Sequence, residues 1–246
     1  MMEISLLTDI GKRRSNNQDF ADQYVNQNGH VLVILADGMG GHRAGNIASE
    51  MTVTDLGNQW KATDFTDINQ MRDWMLVAIE AENQKIHELG TSEEYHGMGT
   101  TIEVLAFVGN AVLFAHVGDS RIGLIRDGQY KQLTSDHSLV NELVKAGQLT
   151  EEEAAVHPQK NIITQSIGQA SPVEIDLGIQ HLQDGDYLLV NSDGLSNMIS
   201  SQTICDIVLS DKTVAAKTQE LVAAANDAGG QDNITVILVA YSEEDN

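Results

Sequence analysis

Residues 31–41 read VLVILADGMGG, and this stretch decides how the rest of the chain is interpreted. Residues 31–36 are apolar at every position, which is typical of a strand buried on both faces at the centre of a sheet. The run ends at Asp37, and glycines follow at positions 38, 40 and 41. A carboxylate at the end of a buried strand is held rigidly at the rim of the sheet, where it can bind a hard cation.

Three more aspartates stand beside apolar runs. Asp119 follows VLFAHVG, Asp193 lies in YLLVNSDG, and Asp232 precedes NITVILVA. Each is weak evidence alone, because Asp-Gly after a strand usually forms a turn. Four such aspartates in one chain indicate a shared metal site. The glycine loop at 38–41 also lacks the Gly-Lys-Ser/Thr ending of a phosphate-binding loop, which disfavours nucleotide binding.

Composition narrows the classes of function. The 246 residues carry a formal net charge of −22, which opposes binding to nucleic acid or to anionic lipid. The single cysteine, Cys205, excludes an internal disulfide framework and a multi-cysteine metal site, and we interpret it as an inert core residue. Acidic Glu3 and Asp9 stand where a secretion signal would need basic residues. We therefore expect a cytoplasmic protein without membrane insertion.

The apolar pattern predicts an α+β fold. Strand blocks and helix blocks are segregated, which favours two stacked, mainly antiparallel sheets with helices on both outer faces, a four-layer α/β/β/α sandwich. The pattern predicts strands at 3–8, 20–27, 31–36, 101–108, 111–117, 121–126, 129–133, 173–181, 186–191 and 234–241, and helices at 46–59, 68–89 and 214–228. The two prolines and the absence of a linker indicate one domain spanning 1–246.

The stretch from about 136 to 172, called the flap segment below, breaks this pattern into short helical pieces. It includes Thr150 and Glu153 at the spacing of a capping box. An irregular insertion of this length is more often a functional lid than an accident. His137 and His157 fall within it, where they are candidates for protonation or substrate recognition, or are simply surface residues.

Other side chains have structural interpretations. His116 lies inside an apolar strand, so a core role is favoured over a ligand role. Met71, Trp74 and Met75 lie at helical spacing and are expected in the core. His42, directly after the glycine loop, is left open between the two interpretations.

Taken together and in order, the motifs resemble the metal-dependent serine/threonine phosphatases of the PPM family (type 2C), in their compact bacterial form. The resemblance covers residues 8 to 240. The matching stretches are RSNNQD (14–19), DGMGG (37–41), GTT (99–101), VGDSR (117–121), SDG (192–194) and DN (232–233).

That resemblance implies a binuclear Mn²⁺ or Mg²⁺ centre with a possible third ion. Asp37 would bridge two ions, Asp193 and Asp232 would bind one of them, and the Gly38 carbonyl and Asp19 would serve the other, with Asp19 acting directly or through water. Asp119 with Asp193 matches the third position. Arg14 would bind the substrate phosphate, and Arg14, Asp37 and Asp193 are the expected catalytic residues.

The expected reaction is hydrolysis of phosphoserine and phosphothreonine in proteins by direct attack of a metal-bridging hydroxide. Phosphomonoester hydrolysis needs a nucleophile, charge neutralisation and in-line geometry together, which two divalent ions can supply. Two positions depart from the wider family. Met39 replaces a histidine proposed as the proton donor in animal members, so the proton would come from a metal-bound water. Gln18 replaces a frequent glutamate and would weaken one water-mediated metal contact.

Three functions remain open. The first is a general phosphatase that opposes a membrane-bound serine/threonine kinase and acts on phosphorylated proteins, most simply as a monomer. The second is a catalytically silent module that binds phosphoproteins, which the intact ligand set disfavours. The third is a phosphatase dedicated to one regulatory partner, which the absence of any sensor segment disfavours.

Overall fold

The structure, a computed structural model, describes residues 1–40 and 44–243 and contains two stacked β-sheets. The strands are β1 (Met2–Asp9), β2 (Asp19–Val25), β3 (Val31–Met39), β4 (Gly99–Thr100), β5 (Ile102–Val108), β6 (Ala111–Val117), β7 (Arg121–Arg126), β8 (Gln129–Gln132), β9 (Asp176–His181), β10 (Tyr187–Asn191) and β11 (Ile234–Tyr241). One sheet has the order β1-β11-β10-β7-β8, and the other has the order β2-β3-β5-β6-β9 with β4 beside β3. The pairings between these strands are antiparallel.

The helices of the described residues are α1 (Ala44–Lys61), α2 (Ile68–Gly90), α3 (Leu139–Lys145), α4 (Glu151–Ala155), α5 (Asp193–Ser196), α6 (Ser201–Val208) and α7 (Val214–Asp227). The longer ones cover the outer face of each sheet, whereas α3 and α4 lie in the flap segment. α1 and α2 share one apolar cluster with β3, β5 and β6, whereas α6 and α7 share another with β10 and β11. The predicted four-layer α/β/β/α sandwich is confirmed.

β3 shows why its sequence is apolar throughout. Val33 and Leu35 lie in the cluster between the two sheets, whereas Leu32 and Ile34 lie in the cluster under α1 and α2. Because alternate side chains of a strand point to opposite faces, a strand covered on both sides must be apolar at every position. The same alternation holds in β11, where Val236 and Leu238 lie under α6 and α7 and Ile237 and Val239 lie between the sheets. The strand that carries Asp37 and the strand that follows Asp232 are therefore both covered on two faces.

Local signals in the sequence are also confirmed. Asp127 and Gly128 both have positive φ, 51° and 79°, as the tight hairpin between β7 and β8 requires. Thr150 and Glu153 form the expected reciprocal capping box at the start of α4. Cys205 and His116 are buried in the core, as predicted.

A few expectations need correction. The strand predicted from position 173 begins at Asp176, because the Val173 N–H donates to Glu80 on α2 instead of joining the sheet. Val77, an apolar residue within the helix predicted at 68–89, lies on the exposed side of α2, with 71% of its surface accessible. Met71 and Met75 are fully buried as expected, whereas Trp74 is only partly buried against the same core. Across the described residues, none of the helices is long and apolar enough to cross a membrane.

Candidate active site

The five predicted aspartate ligands lie at one end of the two sheets. Asp19 and Asp37 are direct partners across β2 and β3. In the other sheet, Asp193 lies two residues after the end of β10, and Asp232 lies two residues before the start of the adjacent β11. Asp119 lies in the turn between β6 and β7. The other four carboxylates all raise the pKa of Asp37, so the five groups are close enough to repel one another.

Asp19 is the point at which the two sheets are bonded together. It stands at the start of β2, yet its Oδ2 accepts hydrogen bonds from Ser192 Oγ and Thr235 Oγ1 of the other sheet, both at 2.7 Å. In the described part of the chain no donor reaches its Oδ1, although the side chain is buried. A buried carboxylate oxygen without a donor is costly unless a cation occupies its free side.

Asn233 holds the loop before β2 against the start of β11. Its Oδ1 accepts from the Gln18 N–H at 2.8 Å, and its Nδ2 donates to the Asn16 carbonyl at 3.0 Å. The Gln18 carbonyl in turn accepts from the Gly38 N–H at 3.0 Å. Asn233 therefore fixes the loop before β2 to the residues before β11. The Asp-Asn pair in the sequence does not predict this role.

The glycines beside Asp37 and Asp193 are required by close backbone approach. A Cβ on Gly38 would lie 2.1 Å from the carbonyl oxygen of Gly45, and a Cβ on Gly194 would lie 1.9 Å from that of Asn233. Both obstacles are backbone atoms, so any side chain would push Gly38 away from α1 and Gly194 away from the residues before β11. The Asp-Gly pairs are thus more than turns, because they allow the carboxylates to converge.

Burial and mutual repulsion raise the pKa values of the cluster. Burial is the larger cause throughout: it raises the pKa of Asp37 well above its ordinary range and that of Asp193 to about 8, with Asp119 and Asp232 adding repulsion at Asp193. The pKa values of Asp19 and Asp119 rise to about 6, again chiefly through burial. Such a cluster of carboxylates is stabilised when its negative charge is neutralised, either by protonation or by bound cations.

Arg14 lies at the edge of the cluster. Its Nη2 donates to Asp232 Oδ2 at 2.7 Å, and about half of the side chain is exposed, with 49% accessible. The guanidinium therefore stands beside a carboxylate of the site with donors free to face solvent. Gly41 and His42, which complete the glycine loop in sequence, lie outside the described residues.

The donor set fits hard divalent cations. Carboxylate oxygens and the carbonyl of Gly38 are the ligands that Mg²⁺ and Mn²⁺ prefer. Within residues 1–40 and 44–243, the three candidate ligand atoms that lie within 4.8 Å of one another belong to His116, His137 and Asp176, and none belongs to the five site aspartates. The aspartates are spread more widely, an arrangement suited to more than one ion. Their individual roles as ligands stay predictions.

Comparison with known proteins gives the family. The profile of the family described as Protein phosphatase 2C matches residues 11–238, nearly the whole chain. The chain belongs to the protein phosphatase 2C family. The resemblance drawn from the motifs is confirmed, and the protein is a protein serine/threonine phosphatase.

Close relatives cover this phosphatase end to end. It is 64% identical to the protein phosphatase PhpP of Streptococcus pneumoniae D39 over 99% of both chains, and 40% identical to the serine/threonine phosphatase stp of Listeria monocytogenes over 97% of this chain and 95% of that protein. The solved serine/threonine phosphatase of S. agalactiae is 68% identical, with a TM-score of 0.97 over 99% of this chain and 100% of that one.

A more distant structure bears on metal binding. The catalytic domain of the phosphatase PstP, solved in complex with 2 manganese ions, is 33% identical to this phosphatase and superposes with a TM-score of 0.84 over 98% of this chain and 99% of that chain. The family is metal-dependent. The number and identity of the ions bound by this phosphatase belong to the proposal below.

A cavity of about 560 Å³ opens beside the aspartates of the phosphatase, between them and the flap segment. Asp119 and Asp193 line its inner side, and Lys160 of the flap segment lines its outer side. Arg121 also faces the cavity, but its guanidinium is paired with Asp136, with Nη2 to Oδ2 at 2.6 Å. The cavity is large enough to receive the side chain of a phosphorylated residue together with part of its backbone.

Several residues support the site aspartates by hydrogen bonds that were not predicted from the sequence. Ser192 and Thr235 hold Asp19, and Asn197 Nδ2 donates to Asp193 Oδ2 at 2.9 Å. Thr101 Oγ1 accepts from the Asp37 N–H and bonds to Ser120 Oγ. The signal was present for some of them, because small polar residues directly beside a site aspartate are natural hydrogen-bond partners.

The flap histidines differ from each other. His157 Nδ1 accepts only from the Gln159 N–H within its own turn among the described contacts. His137 is not a simple surface residue: its side chain is 11% exposed, and its Nδ1 accepts from the Gly118 N–H beside Asp119.

Proposed function

We propose that this phosphatase hydrolyses phosphoserine and phosphothreonine in proteins at a centre of two Mn²⁺ or Mg²⁺ ions, with a third ion bound when Asp119 and Asp193 act together. The observation that supports this most directly is the convergence of five carboxylates at one end of the two sheets, where two of them, Asp119 and Asp193, line the cavity. The buried Asp19 Oδ1, which lacks a donor in the described chain, adds to it.

The proposed ligands follow the strand ends. Asp37 would serve both ions, Asp193 and Asp232 would hold one of them, and the Gly38 carbonyl and Asp19 would hold the other. When bound, the ions would supply positive charge that offsets the phosphate and would activate water for direct attack on phosphorus. The chain's own contribution is to keep these oxygens fixed, because both sheets and the two close-packed glycines position them.

Arg14 is the proposed phosphate-binding residue. Its planar guanidinium can donate two parallel hydrogen bonds to phosphate oxygens, which a lysine cannot reproduce. Its contact with Asp232 holds the guanidinium at the margin of the aspartate cluster. Met39, which ends β3 where animal relatives have histidine, supplies no titratable group, so we propose that the leaving alkoxide takes its proton from solvent held at the centre.

The wider setting is also a proposal. We infer that residues 1–246 act as one catalytic domain with the flap segment over the cavity, as a monomer in the cytoplasm, opposing a membrane-bound serine/threonine kinase. Support comes from the family and from the cavity between the flap segment and the aspartates. Because the protein carries a net charge of −22, we expect it to favour substrates with basic residues around the phosphorylated position.

The decisive experiment is hydrolysis of a phosphothreonine peptide by chelator-stripped protein, titrated with Mn²⁺ and with Mg²⁺. We expect no turnover without metal, restoration by metal, and collapse in Asp193→Ala. Asp127→Asn, in the hairpin remote from the aspartates, is the matched control and should keep wild-type activity. Peptide binding without turnover under any metal would instead favour the silent phosphoprotein-binding module.

A further inference from the structure

His137 makes two hydrogen bonds to one residue, Gly118. The His137 N–H donates to the Gly118 carbonyl at 2.7 Å, and the Gly118 N–H donates to His137 Nδ1 at 3.2 Å. Both backbone groups of Gly118 are thereby taken by a single partner. Gly118 has φ of +124°, and the next residue is Asp119. The turn that carries Asp119 is therefore fixed from outside by His137.

These bonds define the tautomer of His137. Because Nδ1 accepts a hydrogen bond, the ring proton of the neutral side chain must lie on Nε2. Nε2 faces Asp176 Oδ2 on β9 at 3.3 Å, which accepts that proton. A metal ion bound by Nε2 would move the proton to Nδ1, where it would oppose the Gly118 N–H. The group of His116, His137 and Asp176 is thus a hydrogen-bonded support rather than a metal site.

Neighbouring contacts brace the same ring. The ring of His116 packs against that of His137 at an interplanar angle of 42°, with ring centroids 4.6 Å apart. His116 Nδ1 bonds to Glu103 Oε1 at 2.7 Å, and its Nε2 donates to the Ser135 carbonyl at 3.2 Å. Since His116 and Glu103 are fully buried, the ring of His137 packs against a rigid surface.

His137 also lies at the neck of the flap segment, where both ends of that segment meet. Its carbonyl accepts from the Thr164 N–H at 2.8 Å. Ser138 then pairs with Ile163 in an antiparallel bridge, and the Leu139 N–H donates to the Ile162 carbonyl. One residue therefore contacts the Asp119 turn through its N–H and ring and the far end of the flap segment through its carbonyl.

We propose that His137 is a positioning residue that fixes the Gly118–Asp119 turn to the neck of the flap segment and so sets the cation affinity at Asp119. The inference rests on the proposed role of Asp119 as a ligand. Groups that orient a metal ligand typically change metal affinity by roughly 10- to 100-fold when they are removed. His137 does not contact the reacting groups, so its effect passes through Asp119.

Two variants separate the bond to Gly118 from the bond to Asp176. In His137→Asn, the amide oxygen can occupy the position of Nδ1 and keep an acceptor for the Gly118 N–H. In His137→Gln, the amide reaches the position of Nε2 and keeps the contact with Asp176, but leaves the Gly118 N–H without its acceptor. Thermal unfolding verifies that both variants fold.

The first measurement is Mn²⁺ binding by calorimetry to the chelator-stripped proteins. We expect His137→Gln to weaken the lowest-affinity Mn²⁺ by roughly 10- to 100-fold, and His137→Asn to remain within a few-fold of wild type. Amide hydrogen exchange of Gly118 in metal-free protein should be faster in His137→Gln and near wild type in His137→Asn. Absence of Mn²⁺ binding by wild type would overturn the metal centre and this inference together, whereas unchanged binding by His137→Gln would overturn this inference alone.

A measurement on the wild-type protein tests the geometry without any variant. Imidazole nitrogen chemical shifts of metal-free protein should report His137 as the neutral tautomer with its proton on Nε2. A proton on Nδ1 would show that the Gly118 N–H is not bonded to the ring, and the inference would be wrong.

Discussion

Two groups of ionisable side chains lie side by side in this phosphatase and are arranged in opposite ways. In the histidine cluster, formed by Glu103, His116, His137 and Asp176, each ring nitrogen of the two histidines has a hydrogen-bond partner. In the aspartate cluster, formed by Asp19, Asp37, Asp119, Asp193 and Asp232, like charges face each other and raise one another's pKa values.

This difference indicates that a cation belongs in the aspartate cluster and not in the histidine cluster. Burial raises the pKa of Glu103 to about 7, although the facing imidazole lowers it. Burial also disfavours the His116 cation, yet Glu103 raises the pKa of His116 above its ordinary value. The acid and the base thus stabilise each other without a ligand. The aspartates do not balance each other's charge, so the folded state bears a cost that a bound cation would remove.

The largest expected effect on activity comes from replacing Asp37, the carboxylate on which the other four act. Asp37→Asn should lower Mn²⁺-dependent hydrolysis of a phosphothreonine peptide by roughly 100- to 1,000-fold, because the bridging charge is lost. Stability of the metal-free variant should not fall, since a buried repelling charge is removed. Asp22→Asn, exposed on the same strand as Asp19, is the control. Near wild-type turnover by Asp37→Asn would contradict its bridging role.

The next largest effect is a loss of stability when Glu103 is removed from the histidine cluster. Glu103→Ala should lower the free energy of unfolding by about 3 to 5 kcal/mol, because it leaves His116 Nδ1 buried without an acceptor. Glu103→Gln retains an acceptor and should lose much less. Urea unfolding with saturating Mn²⁺ measures both values. Equal losses in the two variants would show that the pair is not what stabilises this region.

The smallest expected effect is a dependence of the stability of the metal-free protein on pH. Burial and repulsion raise the folded-state pKa of Asp193 to about 8 from an ordinary 3.8. Between these values the folded protein holds a proton that the unfolded chain has released, so this contribution to stability is present at low pH and lost as pH rises towards 8.

The melting temperature of metal-free protein should therefore fall between about pH 5 and about pH 8. Asp193→Asn should fall less steeply, and excess Mn²⁺ should abolish the fall in wild type because the cation replaces the protons. A metal-free melting temperature that rises over this range and is unaffected by Asp193→Asn would show that the aspartates do not repel as inferred.

Much of the fold could be predicted because its signals are local. β3 and β11 are apolar at every position because both of their faces are covered, and the Asp127-Gly128 hairpin needs two residues that accept positive φ. β4 was missed because a strand of two residues carries no periodicity. The start of β9 was misplaced because a side chain on α2 captures the backbone at Val173.

The four layers and the aspartates beside the strand ends could be predicted from the sequence, since periodicity and residue type act over a few neighbouring positions. The bonds by which Ser192 and Thr235 hold Asp19, and by which His137 fixes the turn before Asp119, are visible only in the folded chain. Asp19 and Thr235 are separated by 216 residues along the chain. Hydrogen bonds over such distances depend on how two sheets meet, which no local pattern encodes.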